Sequence, residues 1–112
     1  MGIINTDPKV WKYFKHGDIV RCEYIWDKKL FEVHGFHGNW YCPLMTVYMV
    51  GKPKNNANMC NFDVRETKLI TSPHRPFRKL PKKNLLKLMS KGNVEAKREF
   101  MMRLNSKSLQ YV

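Results

Sequence analysis

The sequence predicts a mainly β domain with an α extension: a short N-terminal helix, five strands and a basic helical tail. Three observations predict it. Between residues 18 and 72, apolar side chains recur at a period of two. Clusters of Gly, Asn, Lys and Pro interrupt that stretch at short intervals, as an all-β segment requires. After residue 72 the period becomes helical and acidic residues almost vanish. The expected division is 1–17 for the helix, 18–72 for the β body and 73–112 for a Pro-containing arm with two helices.

Thr6 or Asp7 can cap the first helix and Pro8 suits its first turn, where a missing N–H costs nothing. Val10, Trp11 and Phe14 then share a face, and Gly17 stops it. In the first strand, residues 19–26, Val20, Cys22, Tyr24 and Trp26 point one way, with Arg21 and Glu23 opposite. Asp27-Lys28-Lys29 is a polar break of hairpin length. A second strand, residues 30–36, sends Phe31 and Val33 inward and Glu32 and His34 outward. Gly35 inside it predicts the bend or bulge that a small barrel needs to close. A turn at Gly38-Asn39 leads to a third strand, residues 44–50, apolar on both faces except at Thr46 and therefore central or covered.

Residues 51–58 carry almost nothing apolar and read as an exposed loop. Cys60, Phe62 and Val64 alternate in a fourth strand, and residues 67–71 make a short fifth. Residues 72–81 hold three prolines and three basic side chains, the composition of an extended arm. Lys82 to Ser90 then spaces Leu85, Leu86, Leu88 and Met89 as a helix, which Gly92 stops. Asn93 caps a last helix that presents Ala96, Phe100 and Leu104 as its apolar stripe, with Met101 beside it.

The chain of 112 residues, 43% hydrophobic, is long enough for one modest core. Lys and Arg number 21 against 9 acids, a formal charge of +12. So large an excess repels itself in the folded state, which points to an anionic partner. Residues 1–72 carry a net charge of +3 and residues 73–112 a net of +9, so the anion-seeking part is the tail. The first seven residues lack the pattern of a signal peptide, and no apolar run approaches the ~20 residues of a membrane span. Cys22, Cys42 and Cys60 are an odd set within apolar segments, as in a reducing compartment. The expected location is the cytoplasm, with no membrane partner.

Gly17-Asp18-Ile19-Val20, followed after a short hairpin by Lys29-Leu30-Phe31-Glu32-Val33-His34-Gly35-Phe36, resembles the opening of SH3-like barrels of the KOW and Tudor-like type. The resemblance spans about half the chain and implies a small five-stranded SH3-like barrel, a fold often found on RNA, DNA or transcription machinery. The basic tail departs from that family. Small size, richness in Lys, Asn and Met, and the added basic tail also resemble accessory proteins of large bacteriophages.

The expected function is binding of nucleic acid, double-stranded DNA before RNA, with little sequence preference and a role in DNA organisation or transcription. The residues expected to hold phosphate are Arg75, Arg78, Lys79, Lys82, Lys83, Lys87, Lys91, Lys97, Arg98 and Arg103. Phe36, Trp40 and Tyr41 flank the Gly38-Asn39 turn, where they either stack on unpaired bases, form a methyl-ammonium cage or cap the open barrel end. A protein module docking on an acidic partner, and an RNA- or ribosome-associated protein, are the alternatives. Phe100, Met101, Met102 and Leu104 discriminate: packed on the barrel they leave the basic face free, and exposed they suggest a protein partner.

A helix-turn-helix over residues 84–104 is set aside, because Lys91, Asn93 and Arg98 would fall where it needs buried apolar residues. His34, His37, Cys42 and Cys60 have the right atoms for zinc, but no Cys-x-x-Cys pair accompanies them and no metal is expected. The acids are scattered and no phosphate-cradling glycine loop or serine elbow is present. Neither an enzyme, nor a cofactor, nor a small-molecule substrate is expected.

Overall fold

The computed structural model describes residues 13–22, 29–38 and 41–110, and side chains among these up to residue 106. Five strands form one antiparallel sheet: β1 (Ile19–Cys22), β2 (Phe31–Gly38), β3 (Pro43–Met49), β4 (Met59–Asp63) and β5 (Thr67–Thr71). Their spatial order is β4-β3-β2-β1-β5, so the first four make a meander and the fifth returns to pair with the first. Two helices follow, α1 (Lys82–Ser90) and α2 (Val94–Gln110).

The period-two pattern is realised almost residue by residue. Val20, Cys22, Phe31, Val33, Met45, Val47, Phe62, Val64 and Leu69 form the core, joined by Phe14 from the chain entering β1. The rings of Phe31 and Phe62 meet edge to face at its centre, with centroids 4.9 Å apart. In β2 the register shifts between Val33 and Gly35, which is the bulge expected there. Gly38 then turns with φ +88°, and a Cβ at this position would stand 2.2 Å from the Cys42 carbonyl oxygen, so only glycine fits. Residues 51–57 are exposed as expected, and a single 3-10 turn, Asn56–Asn58, is capped by the Asn55 side chain. A second 3-10 turn, Val64–Glu66, links β4 to β5, its start capped by Asp63.

Three expectations are corrected or fall outside the described residues. The N-terminal helix, with Thr6, Pro8, Val10 and Trp11, lies outside the described residues; from Tyr13 the chain makes a turn, in which the Lys15 N–H donates to Asp18 Oδ2 (2.8 Å). Arg21, expected on the face opposite Val20 and Cys22, is buried as they are. The third correction concerns α2.

The face of α2 that meets the sheet is largely polar. Arg98, Glu99 and Asn105 are buried beside Ala96 and Met102, whereas Leu104 of the expected apolar stripe is exposed. Met102 enters the core of the sheet. Asn105 Nδ2 donates to the Leu69 carbonyl (2.6 Å) and Ser106 Oγ to that of Ile70 (3.1 Å), so α2 occupies carbonyls of β5, one of the two sheet edges. The reason is electrostatic. Arg98 donates to both carboxylate oxygens of Asp18 (2.7 and 2.9 Å), to the Tyr13 carbonyl (2.5 Å) and to Glu95 Oε1 (3.1 Å). A guanidinium so fully paired can be buried where an unpaired one cannot. The tail is therefore part of the same packed body as the sheet.

Candidate nucleic-acid interface

The cations proposed from sequence divide into two sets. Arg75, Arg98 and Arg103 are turned inward on acids. Arg75 grips the buried Glu99 with two parallel bonds, Nε to Oε1 (2.9 Å) and Nη2 to Oε2 (2.6 Å). Arg103 Nε donates to the same Oε2 (2.9 Å). Burial pushes the Glu99 carboxyl up, but the two guanidinium groups outweigh it and hold the carboxyl below its ordinary range. Glu95 is likewise held low, its burial outweighed by Lys15 and Arg98. These three arginines are positioning residues for the fold, and the phosphate-binding role expected of them is withdrawn.

Arg103 also shapes the arm. Its Nη2 donates to the carbonyls of Phe77 (3.1 Å), Arg78 (3.3 Å) and Leu80 (2.6 Å). Tight turns accompany this grip, Arg78 N–H to the Arg75 carbonyl and Leu80 N–H to that of Phe77. The segment expected to be an extended arm is thus a turn clamped onto α2. The clamp leaves the side chains of Arg78 and Lys79 exposed.

The second set stays outward. Arg78, Lys79, Lys82, Lys83, Lys87, Lys91 and Lys97 are all exposed, and none has a carboxylate partner among the described residues. Leu85 is the buried anchor of α1. Lys83 and Lys87 lie two residues before and after it, which places them on the opposite side of the helix. Lys91 follows at the C-cap, four residues beyond Lys87, giving a stripe with about 6 Å between successive positions. Like charges at this spacing repel, and Lys82 and Lys83 also sit at the positive end of the helix with no acid in the first turn. Pro81 offers no side-chain cap.

From residue 67 to residue 94 the chain contains no Asp or Glu, and the two acids that follow, Glu95 and Glu99, are already occupied by basic partners. The charge of this surface is therefore uncompensated from within. Gly92, with φ +82°, separates α1 from α2, and Asn93 Oδ1 accepts from the Ala96 N–H (3.0 Å), as its capping role required.

The aromatic group near residue 40 is only partly described. Phe36 and Tyr41 are exposed, Tyr41 by 68%, and Trp40 lies outside the described residues. His34 stacks edge-on between His16 and Tyr48 and lies 2.8 Å from Glu32, while His37 lies 2.9 Å from Asn61 Oδ1. Among the described residues no three or more His, Cys, Asp or Glu side chains are grouped to hold a metal ion, and no helix is long and apolar enough to cross a membrane.

Sequence reasoning missed the Asp18–Arg98 pair, whose partners are 80 positions apart. Two local signals were available: the i,i+3 spacing of Glu95 with Arg98 and the i,i+4 spacing of Glu99 with Arg103. The exclusion of buried positions for Arg98 was mistaken, because Asp18 supplies the charge that burial needs. Compared with known proteins, the chain matches no family model, no curated protein and no solved structure.

Proposed function

We propose that this chain binds nucleic acid, double-stranded DNA before RNA, by its phosphates and with little regard to sequence. One observation carries the reading: seven exposed cations around a 28-residue stretch without a single acid, followed by two acids already paired with basic side chains. Lysines at such spacing destabilise an isolated helix. A phosphate backbone removes that repulsion and releases its counterions on binding. The sheet supplies a rigid support, and the Arg75–Glu99–Arg103 clamp holds Arg78 and Lys79 beside the start of α1. The order of the sheet, with β5 returning to β1 after a 3-10 turn, supports the further reading that this body is an SH3-like barrel.

A second reading has its own support. Leu86 and Leu104 are exposed on the same two helices, at 43% and 46%, as a protein partner with an acidic and partly apolar surface would use. One titration separates the two. Random-sequence duplex DNA is added at ~50 mM salt, where phosphate contacts are strong, and RNA and polyglutamate are used as competitors at equal charge. The expected result is a dissociation constant below about 10⁻⁵ M for the duplex, with polyglutamate a poor competitor. No binding at that salt would refute the proposal, and equal competition by polyglutamate would favour the acidic protein partner.

A further inference from the structure

Glu99 is an acid in the most basic part of the chain, and it is 1% exposed. Its carboxylate gathers both ends of one short segment. Arg75, which opens the segment, donates to Oε1 (2.9 Å) and Oε2 (2.6 Å), and the Arg75 carbonyl accepts the Arg78 N–H (3.2 Å). Arg103 donates to Oε2 through Nε (2.9 Å), which orients its planar guanidinium and turns Nη2 onto the carbonyls of Phe77, Arg78 and Leu80. Among the described residues, every hydrogen bond between residues 75–80 and α2 runs through Glu99 or through the arginine that Glu99 holds. Pro76 lies inside the segment and Pro81 follows it, and neither has an N–H to donate. A stretch of this composition is extended when nothing holds it. Held by its carbonyls, it is a turn that leaves Arg78 and Lys79 exposed.

We propose that Arg103 is a positioning residue for phosphate binding by Arg78 and Lys79, and that Glu99 is therefore an acid on which anion binding depends. This role rests on the nucleic-acid reading and divides its surface in two. Lys83, Lys87 and Lys91 are placed by α1 itself, anchored at Leu85, whichever way residues 75–80 run. Arg78 and Lys79 are in place only while the clamp is closed, and closed it presents both cations to the phosphates already ordered. Lysine cannot replace Arg103 here. It keeps the charge, but its ammonium lacks the planar fork that holds a carboxylate and the carbonyls of Phe77, Arg78 and Leu80 together. Glu99→Gln gives the opposite electrostatic bias: it makes the chain more positive, so charge alone predicts tighter phosphate binding, and positioning predicts weaker binding.

The test is the salt dependence of random-duplex binding, measured on full-length variants. Arg78→Ala/Lys79→Ala gives up two phosphate contacts, so its slope of log Kobs against log salt is shallower by about 2. Arg103→Lys, equal in charge to the wild-type chain, is expected to lose about 1–2 of the slope. Added to Arg78→Ala/Lys79→Ala, it is expected to cost nothing further, because it acts through those two side chains. The amide resonances of Arg78 and Lys79 move to random-coil positions in Arg103→Lys while those of the sheet stay, which a general loss of fold does not give. Glu99→Gln is expected to weaken duplex binding despite its added charge, and Arg103→Lys, which keeps Glu99 paired with Arg75, carries the test where Glu99→Gln does not fold. A wild-type slope in Arg103→Lys, a full further loss on top of Arg78→Ala/Lys79→Ala, or tighter binding by Glu99→Gln overturns the positioning role and leaves the lysine stripe standing. A wild-type chain that binds no duplex overturns both.

Discussion

Replacing Arg98 by Met removes a buried cation of similar reach and leaves Asp18 facing the sheet without its partner. Both side chains are fully buried, and among the described residues Asp18 then retains only the Lys15 N–H as a donor to its carboxylate. Breaking a buried pair from one side costs about 3–5 kcal/mol. A domain of this size is stable by about 5–15 kcal/mol, so the loss is a large fraction of the total. With a urea m-value of about 1.5 kcal/mol/M, the unfolding midpoint drops by about 2–3 M. The assay is equilibrium urea unfolding followed by Trp fluorescence and by circular dichroism. The double variant Asp18→Asn/Arg98→Met removes both charges and regains at least about 1 kcal/mol over Arg98→Met alone. A midpoint shift below about 0.5 M for Arg98→Met, or strictly additive losses in the double variant, would refute the argument that this pair seats α2 on the sheet.

Truncation after Ser72 strips the core of Met102, takes the Arg98 guanidinium from Asp18 and removes the side chains of α2 that bond the Leu69 and Ile70 carbonyls of β5. The shortened chain is expected to lose dispersed amide resonances, and a well-dispersed spectrum would show that the sheet stands alone. Acid is expected to destabilise the protein. Glu95 and Glu99 have folded pKa values below the ordinary 4.5, so the unfolded chain takes up protons first, and stability falls as pH drops below about 5. Their contribution is complete above that range and is lost once pH passes below the folded values. Urea midpoints measured from pH 7 to pH 3 check this, and midpoints that hold or rise on acidification would contradict it.

The sheet was legible because a period of two is a strong local signal. Phe31, Val33 and Phe62 could be placed inward from their neighbours alone, and Gly35 announced the bulge in β2. Asn93 and Gly92 set the boundary between the helices through cap chemistry that acts over three or four residues. The seat of α2 was not legible. Hydrophobic patterning looks for an apolar stripe, and here the buried stripe is Arg98, Glu99 and Asn105, stabilised by groups on other elements. For the same reason the basic residues of the tail could be counted but not sorted. Lys83 and Lys87 show their exposure by facing away from Leu85, whereas nothing near Arg75 in the chain announces that Glu99 will claim it.

The central claim is that Arg78, Lys79, Lys82, Lys83, Lys87, Lys91 and Lys97 form a phosphate-binding surface. Its most direct test is the salt dependence of duplex binding, compared between the wild-type chain and the variant Lys83→Ala/Lys87→Ala/Lys91→Ala. Each phosphate neutralised contributes about −0.9 to the slope of log Kobs against log salt, so seven full contacts set a limit of about −6. The expected wild-type slope lies between about −4 and −6, and the triple variant's is shallower by about 2–3, with its urea midpoint unchanged or higher. A wild-type slope near zero, or a triple variant that keeps the full slope, would place binding elsewhere on the molecule and contradict the claim.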